Sequence, residues 1–203
     1  MTMSPGLRKL ALTAHVSSSV GWLGAVASFL ALAVAGLTSV NAQIAGAVYL
    51  AMELTTWFVI VPLSFASLVT GLIQSLGTTW GLFRHYWVVA KLLLNIVATV
   101  ILLVHTQPIS RVAAAAAETT LSGTDLRQLR IQLVADAAAA LLALLVATTL
   151  SVYKPAGMTP FGRRQEDPQR KVTRWVYVSG ILMIVVVLLF AFLHLIGGSP
   201  GHH

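Results

Sequence analysis

Four histidines, two carboxylates and one lysine lie in or beside long apolar stretches of this sequence, and they are its candidate functional residues. They are His15, His85, His105, His194, Glu53, Asp136 and Lys91, with Asn95 and Gln74 as polar neighbours. Imidazole nitrogens bind haem iron and transition metals, and carboxylates bind divalent ions, so the set is typical of a cofactor or metal site. The sequence has no cysteine, which excludes iron–sulfur clusters, thiolate metal sites and disulfides.

The first interpretation of the histidines is a b-type haem held between two imidazoles from facing helices. His15 and His85 form one candidate pair, and His105 and His194 form the other. His85 and His105 are twenty residues apart, about 30 Å along one helix and ~200° around it, so these two cannot ligate the same haem. This interpretation predicts one haem b, with electron transfer or ligand sensing as the function.

A second interpretation is a metal site built from both kinds of side chain. Its ligands are Glu53, His105, Asp136 and His194, which would bind copper or another divalent ion for metal handling or small-solute transport. In a third interpretation, the same residues only hydrogen-bond neighbouring helices, in a non-catalytic subunit or scaffold of a membrane complex. The sequence contains no nucleotide-binding or metalloprotease motif, so we do not expect a classical enzyme.

The chain that must position these side chains is strongly apolar. Hydrophobic residues occupy 57% of its 203 positions and charged residues 9%, against about 25% charged in soluble domains. Five stretches are long enough to cross a bilayer as helices, at about 10–37, 47–76, 87–106, 131–152 and 175–196. Because open sheets cannot span lipid, we predict an all-α, polytopic bundle of about five transmembrane helices that forms one domain over 1–203.

Basic residues in the connections predict the orientation of the bundle. With the N-terminus in the cytoplasm, nine of the thirteen Lys and Arg residues lie on the cytoplasmic side and three on the outer side. The positive-inside rule therefore predicts an N-in, C-out protein with an outer loop at 107–130 and a basic cytoplasmic loop at 153–174. The basic N-terminus precedes an apolar stretch without a cleavage site, which predicts a retained first helix in the plasma membrane.

The same charge distribution predicts the partners. Cations confined to short loops set membrane orientation, so we expect no nucleic acid partner despite a net charge of +7. The expected partners are the lipid bilayer and either further copies of the chain or the subunits of a membrane complex.

Helical spacing predicts which side of each helix faces inward, since residues three or four apart share a face. The predicted inward faces are His15, Ser18, Ser19 and Trp22 on the first helix; Glu53, Trp57, Ile60, Ser64, Ser67, Gly71 and Gln74 on the second; and Lys91, Asn95, Ala98, Leu102 and His105 on the third. Pro62 predicts a kink in the second helix. Depth places His15, His85 and Lys91 toward the cytoplasm, and Glu53, His105, Asp136 and His194 toward the outside.

Short motifs in the first three helices resemble a known family. They are His15 followed by Trp22-Leu23-Gly24, then Thr70-Gly71-Leu72, and then Tyr86-Trp87 with Lys91-Leu92. About half of the chain resembles the CopD-like copper-resistance membrane domain and related small bacterial membrane families of unknown function. The resemblance implies a bacterial plasma membrane protein with His15 and Lys91 at matching positions, and with copper handling or haem binding as its role.

Overall fold

The computed structural model describes residues 3–77, 85–117, 124–153, 157 and 159. Its regular structure is helical, and within these ranges no strand is present. The elements are α1 Pro5–Thr38, α2 Ala42–Thr55, a π-helical turn Thr56–Ile60, α3 Val61–Leu76, α4 Tyr86–Ala117 and α5 Thr124–Tyr153. The predicted fifth span at 175–196, which includes His194, and nearly all of the predicted loop at 153–174 lie outside the described residues.

Among the described residues, four helical segments are long and apolar enough to cross a membrane. They are Pro5–Thr38, Ala42–Leu76, Tyr86–Ala116 and Leu126–Tyr153. Large apolar side chains such as Leu10, Phe58 and Leu142 are exposed on the outside of the bundle, where lipid is the solvent that makes their exposure favourable. The chain is therefore an all-helical, multi-pass membrane protein; its fifth span and its orientation stay predictions.

The helices form an antiparallel bundle with two distinct ends. α1 and α4 each pack against α2, α3 and α5. We call the end that holds Pro5, Leu76, Tyr86 and Tyr153 the proximal end, and the opposite end, where α1 finishes and α2 begins, the distal end. The distal turn is short because the Asn41 side chain accepts hydrogen bonds from the backbone N–H groups at the start of α2, which is favourable N-capping.

The π-helical turn lies immediately before Pro62. A proline ring has no N–H and clashes with the carbonyl four residues earlier in a regular α-helix. Here the helix widens, and the Val61 N–H donates to the carbonyl of Thr56, five residues back. The extra residue accommodates Pro62 and leaves α2 and α3 as one continuous membrane-spanning segment.

The π turn also changes which side of the second span faces inward. Ile60, Ser64 and Ser67 are buried as the spacing predicts, but Trp57 is 47% exposed. Tyr49 and Met52 on α2 and Thr56 at the first position of the turn are buried instead. An α-helical phase counted through residues 53 to 74 therefore fails before Ile60, because one additional residue in the turn rotates everything that precedes it.

The predicted inward faces of α1 and α4 are confirmed. On α1 the buried side chains recur every three or four residues: His15, Ser18, Trp22, Val26, Phe29, Ala33 and Gly36. On α4, Asn95 and His105 are buried, and Lys91, Ala98 and Leu102 line internal cavities. α4 continues past the predicted end at 106 to Ala117, because Pro108 is tolerated inside a packed membrane helix and the alanines that follow favour helix.

Candidate functional site

His15, in the proximal half of α1, is held at both ring nitrogens. Its Nδ1 lies 3.1 Å from the backbone carbonyl oxygen of Ser67 and 3.2 Å from the hydroxyl of Thr70, both on α3. Its Nε2 lies 3.1 Å from Nζ of Lys91 on α4. A carbonyl oxygen only accepts hydrogen bonds, so Nδ1 carries the ring proton, and Nε2 accepts from the lysine.

A close approach of two helices fixes the position of this ring. Gly71 lies on α3 one turn beyond Ser67, and a Cβ atom at that position would come within 3.1 Å of the His15 ring. The absence of a side chain at Gly71 therefore lets the imidazole approach the backbone of α3 closely. His15, Gly71 and Lys91 come from three helices, so their contact depends on the tertiary fold.

A cavity of about 430 Å³ opens beside this contact. All four spans contribute to its walls, and its polar lining consists of His15, Ser19, Ser67, Gln74, Ser75, Lys91, Asn95, Thr148 and Ser151. The remaining walls are apolar or aromatic, among them Leu12, Val16, Leu92 and Trp87. We call this space the proximal cavity.

Ser67 connects the polar wall of the proximal cavity across three helices. Its hydroxyl lies 2.8 Å from that of Ser19, and it accepts a hydrogen bond of 3.4 Å from the Asn95 amide. Ser67 is almost fully buried, while its carbonyl accepts from His15. One short residue thus aligns groups from α1 and α4, which is a role that a long side chain would obstruct.

The second polar contact lies toward the distal end. Nε2 of His105 on α4 lies 2.8 Å from a carboxylate oxygen of Asp136 on α5. Nδ1 of His105 lies 2.8 Å from the backbone carbonyl oxygen of Ile101 and donates to it. Both side chains are buried, at 7% and 12% exposed.

Around this pair the bundle is tightly packed. The adjoining cavity, which we call the distal cavity, measures about 70 Å³. Apart from His105 and Asp136, its polar wall is Thr56; the other lining residues are apolar, with Trp22, Val26 and Phe29 on the α1 side. Trp22 and Leu144 line both cavities and separate them.

The geometry does not suit a bis-histidine haem within the described residues. His15 lines the proximal cavity and His105 the distal one, and His85 is found in the described lining of neither. Each Nε2 that would ligate iron contacts another side chain, Lys91 or Asp136. His194 lies outside the described part of the chain. The haem stays a prediction that a Soret band in the purified protein would test.

The predicted metal ligands come together only in part. His105 and Asp136 are in contact, but Glu53 is not among the residues that line their cavity. Within the residues that the structure describes, no group of three or more His, Asp or Glu side chains is positioned to hold a metal ion. His105 and Asp136 thus form a pair with no third His, Asp or Glu ligand among the described residues, and copper or another divalent ion stays a prediction. Gln74 and Asn95, predicted as polar neighbours, both line the proximal cavity.

One polar side chain of the distal end, Arg130, is not among the candidate residues predicted from the sequence. Arg130 on α5 donates from Nε to the Tyr49 hydroxyl at 2.7 Å and from a terminal nitrogen to the Gly36 carbonyl at 2.6 Å. Its guanidinium also lies 5.4 Å from the centre of the Tyr49 ring. By sequence, Arg130 belongs to the predicted outer loop at 107–130 and counts only as one of its cations. Its position about two helical turns before Asp136 is the signal that could have identified it.

No family model, curated protein or solved structure matches this chain. The resemblance to the copper-resistance domain therefore stays a prediction, and arguments about function rest on the two contacts and the two cavities.

Proposed function

We propose that this multi-pass membrane protein binds a small organic anion, a carboxylate with an apolar body, in the proximal cavity, as the substrate site of a small-solute carrier. The observation that carries the proposal is the position of Lys91. Lys91 lines a cavity of about 430 Å³, and within the described residues the polar contact of its Nζ is His15, not a carboxylate.

The argument from Lys91 is electrostatic. Lys91 lies about 8 Å inside the proximal end of α4. A lysine within a membrane span calls for a counter-charge or a solvated cavity, at a cost that reaches about 2.5 kcal/mol at the centre of the span. His15 accepts one hydrogen bond from Lys91 but supplies no negative charge, because an imidazole is either neutral or cationic. An ammonium has three donors. The two that remain suit a carboxylate, which accepts through both oxygens.

The rest of the proximal cavity favours an amphipathic ligand. Its volume falls within the range of about 300–1,000 Å³ that is typical of small-molecule sites. Hydroxyl and amide groups from Ser19, Ser67 and Asn95 lie near Lys91, whereas Leu12, Val16 and other apolar side chains form the remaining walls. A charged head and an apolar body would each find a matching surface.

For the placement of this carrier we propose a bacterial plasma membrane, five spans and a cytoplasmic N-terminus. The support is the excess of Lys and Arg in the connections predicted to be cytoplasmic, and the apolar stretch at 175–196. In this orientation the proximal cavity lies toward the cytoplasm.

Calorimetry with the protein in lipid nanodiscs tests the proposal, with benzoate as the probe and empty nanodiscs as the blank. We expect benzoate to bind and the neutral isostere benzamide to bind at least tenfold more weakly. Lys91→Met should also weaken benzoate at least tenfold, since a charge-assisted hydrogen bond is worth about 1.5–3 kcal/mol. Uptake of radiolabelled benzoate into proteoliposomes should fall in the same variant.

Lys9→Met is the matched control, because it removes an exposed lysine at the proximal end of α1. It should leave benzoate affinity unchanged. Equal binding of benzoate and benzamide, or equal affinity in the Lys91→Met and Lys9→Met variants, would refute the anion site.

A further inference from the structure

We infer that His105 and Asp136 form a proton-binding site, and that this site is coupled to anion binding in the proximal cavity. The coupling rests on the proposed function; the proton site itself does not. The inference starts from the contact of 2.8 Å between His105 Nε2 and Asp136, together with the carbonyl of Ile101 on the other side of the ring.

The contacts of the two His105 ring nitrogens indicate that the pair holds one exchangeable proton. Because the Ile101 carbonyl only accepts, Nδ1 of His105 keeps its proton. Nε2 and the carboxylate oxygen would repel each other at 2.8 Å if both presented lone pairs, so the pair binds one proton. Whether it resides on the imidazole or on the carboxyl group, the pair as a whole is neutral. Loss of this proton gives the pair a net charge of −1.

The surroundings give that charge little compensation. The charged residues nearest to the pair along its own helices are Arg111 on α4 and Arg130 on α5, each six residues away. Neither of them lines the distal cavity, and neither does Glu53 on α2. Arg130 is engaged with Tyr49 and Gly36. The facing parts of α1 and of the π turn contribute Trp22, Val26, Phe29, Thr56 and Ile60, none of which is ionisable. The proton on the pair therefore sets the charge of the distal interior.

Separation along α4 determines how strongly the two sites interact. Lys91 and His105 are fourteen residues apart on one helix, which corresponds to about 21 Å. Two unit charges at this distance, with an effective dielectric constant of ~20, change each other's binding constants about fourfold. Trp22 and Leu144 lie between the cavities, so packed side chains separate the sites.

The sign of the coupling follows from the charges. An anion in the proximal cavity disfavours a second negative charge at Asp136, so it strengthens proton binding to the pair. Thermodynamic reciprocity requires the proton to strengthen anion binding by the same factor of about four. A carrier with this property takes up anion and proton together.

The test is a pH titration of ¹⁵N-histidine-labelled protein in nanodiscs by NMR, with the His105 signals assigned by their loss in His105→Gln. We expect His105 to pass through a one-proton step. Its Nδ1 signal should stay that of a protonated nitrogen throughout, since Ile101 holds that proton. Saturating benzoate should raise the proton affinity of the step about fourfold, and Asp136→Asn should displace the step even without benzoate.

Each failure has its own signature. His105 signals that stay constant across the titration of the unaltered protein would overturn the proton site, whatever benzoate does. A normal titration that saturating benzoate leaves unmoved would overturn the coupling. If benzoate does not bind at all, the anion site fails while the titration of His105 still supports the proton site. Lys91→Met should abolish the benzoate effect and preserve the one-proton step, with a proton affinity about fourfold higher because a positive charge is lost.

Discussion

The two ends of the bundle each contain a half-buried cation, and the two cations differ in the number of hydrogen bonds that they donate to the protein. Arg130 at the distal end donates to the Tyr49 hydroxyl and to the Gly36 carbonyl, and it stacks near an aromatic ring. Lys91 at the proximal end contacts one neutral imidazole and faces a cavity. A cation that donates several hydrogen bonds to the protein stabilises the fold, whereas one that donates a single hydrogen bond has donors left for a ligand.

The distal arrangement completes a helix end. Gly36 and Leu37 are among the last residues of α1, whose terminal carbonyls have no partner within the helix. Arg130 supplies donors to both, at 2.6 Å and 3.4 Å, and places a positive charge at the negative end of the helix dipole. Because α5 thereby holds α1, the cation joins helices that are far apart in sequence.

The sharpest test of this comparison is Arg130→Ala, for which we expect the largest effect. It should lower the free energy of unfolding by roughly 3 kcal/mol, because two charge-assisted hydrogen bonds are lost at about 1.5–3 kcal/mol each, with partial rescue by water. Steric-trapping or denaturant unfolding in mild detergent measures the change. Benzoate affinity in the fraction that folds should stay the same.

Arg127→Ala provides the control, since it removes an exposed arginine from the same helix. Its effect should be within about 0.5 kcal/mol. Lys91→Met should likewise cost little stability, because no ion pair is lost with it in the described residues. Similar losses in the Arg130→Ala and Lys91→Met variants would remove the distinction between the two ends.

A second prediction concerns the close contact between Gly36 and Tyr49, the two residues to which Arg130 donates. A Cβ atom at Gly36 would lie 2.8 Å from Cζ of Tyr49, whose side chain is 1% exposed and has no room to move. Gly36→Ala should therefore lower the free energy of unfolding by about 1–2 kcal/mol, since overpacking outweighs the helix propensity gained.

Gly24→Ala is the matched substitution on the same helix, because an added Cβ would have no heavy atom within 4 Å. It should be neutral or stabilising by up to about 1 kcal/mol. If both alanine variants unfold alike, close packing of Tyr49 on α1 is not what holds the distal end together.

The sequence alone is sufficient for the membrane class and for two of the inward faces. Composition predicts the helical bundle, and the spacing of His15, Ser18 and Trp22 predicts their burial, because a regular helix repeats its faces. The second span is different. Trp57 would share the buried face of Ile60 only if every turn were α-helical. The π turn before Pro62 adds one residue, which the spacing of apolar residues does not reveal.

The candidate site was predictable only in its components. Depth along the helices placed His15 with Lys91 and His105 with Asp136 in common layers, and the structure brings both pairs into contact. Which neighbours would complete each pair depended on rotation and packing between helices. The contact of Ser67 with His15, and that of Arg130 with Gly36, join residues 52 and 94 positions apart, and no local pattern specifies such pairings.

The smallest expected effect separates positioning from stability at the proximal end. In Gly71→Ala the new Cβ would lie 3.1 Å from Cε1 of His15, so the ring has to shift by a few tenths of an ångström. The helix propensity gained, about 0.5–1 kcal/mol, should roughly offset the crowding, and the free energy of unfolding should change by less than about 1 kcal/mol. Benzoate should nevertheless bind roughly fivefold more weakly, equivalent to about 1 kcal/mol, because Lys91 follows the displaced ring.

Gly21→Ala is the control: its new Cβ would meet only Leu63, at 3.4 Å, and the substitution should leave both stability and affinity unchanged. A Gly71→Ala protein that loses stability in proportion to affinity would indicate that His15 holds the helices together and does not position Lys91 for a ligand.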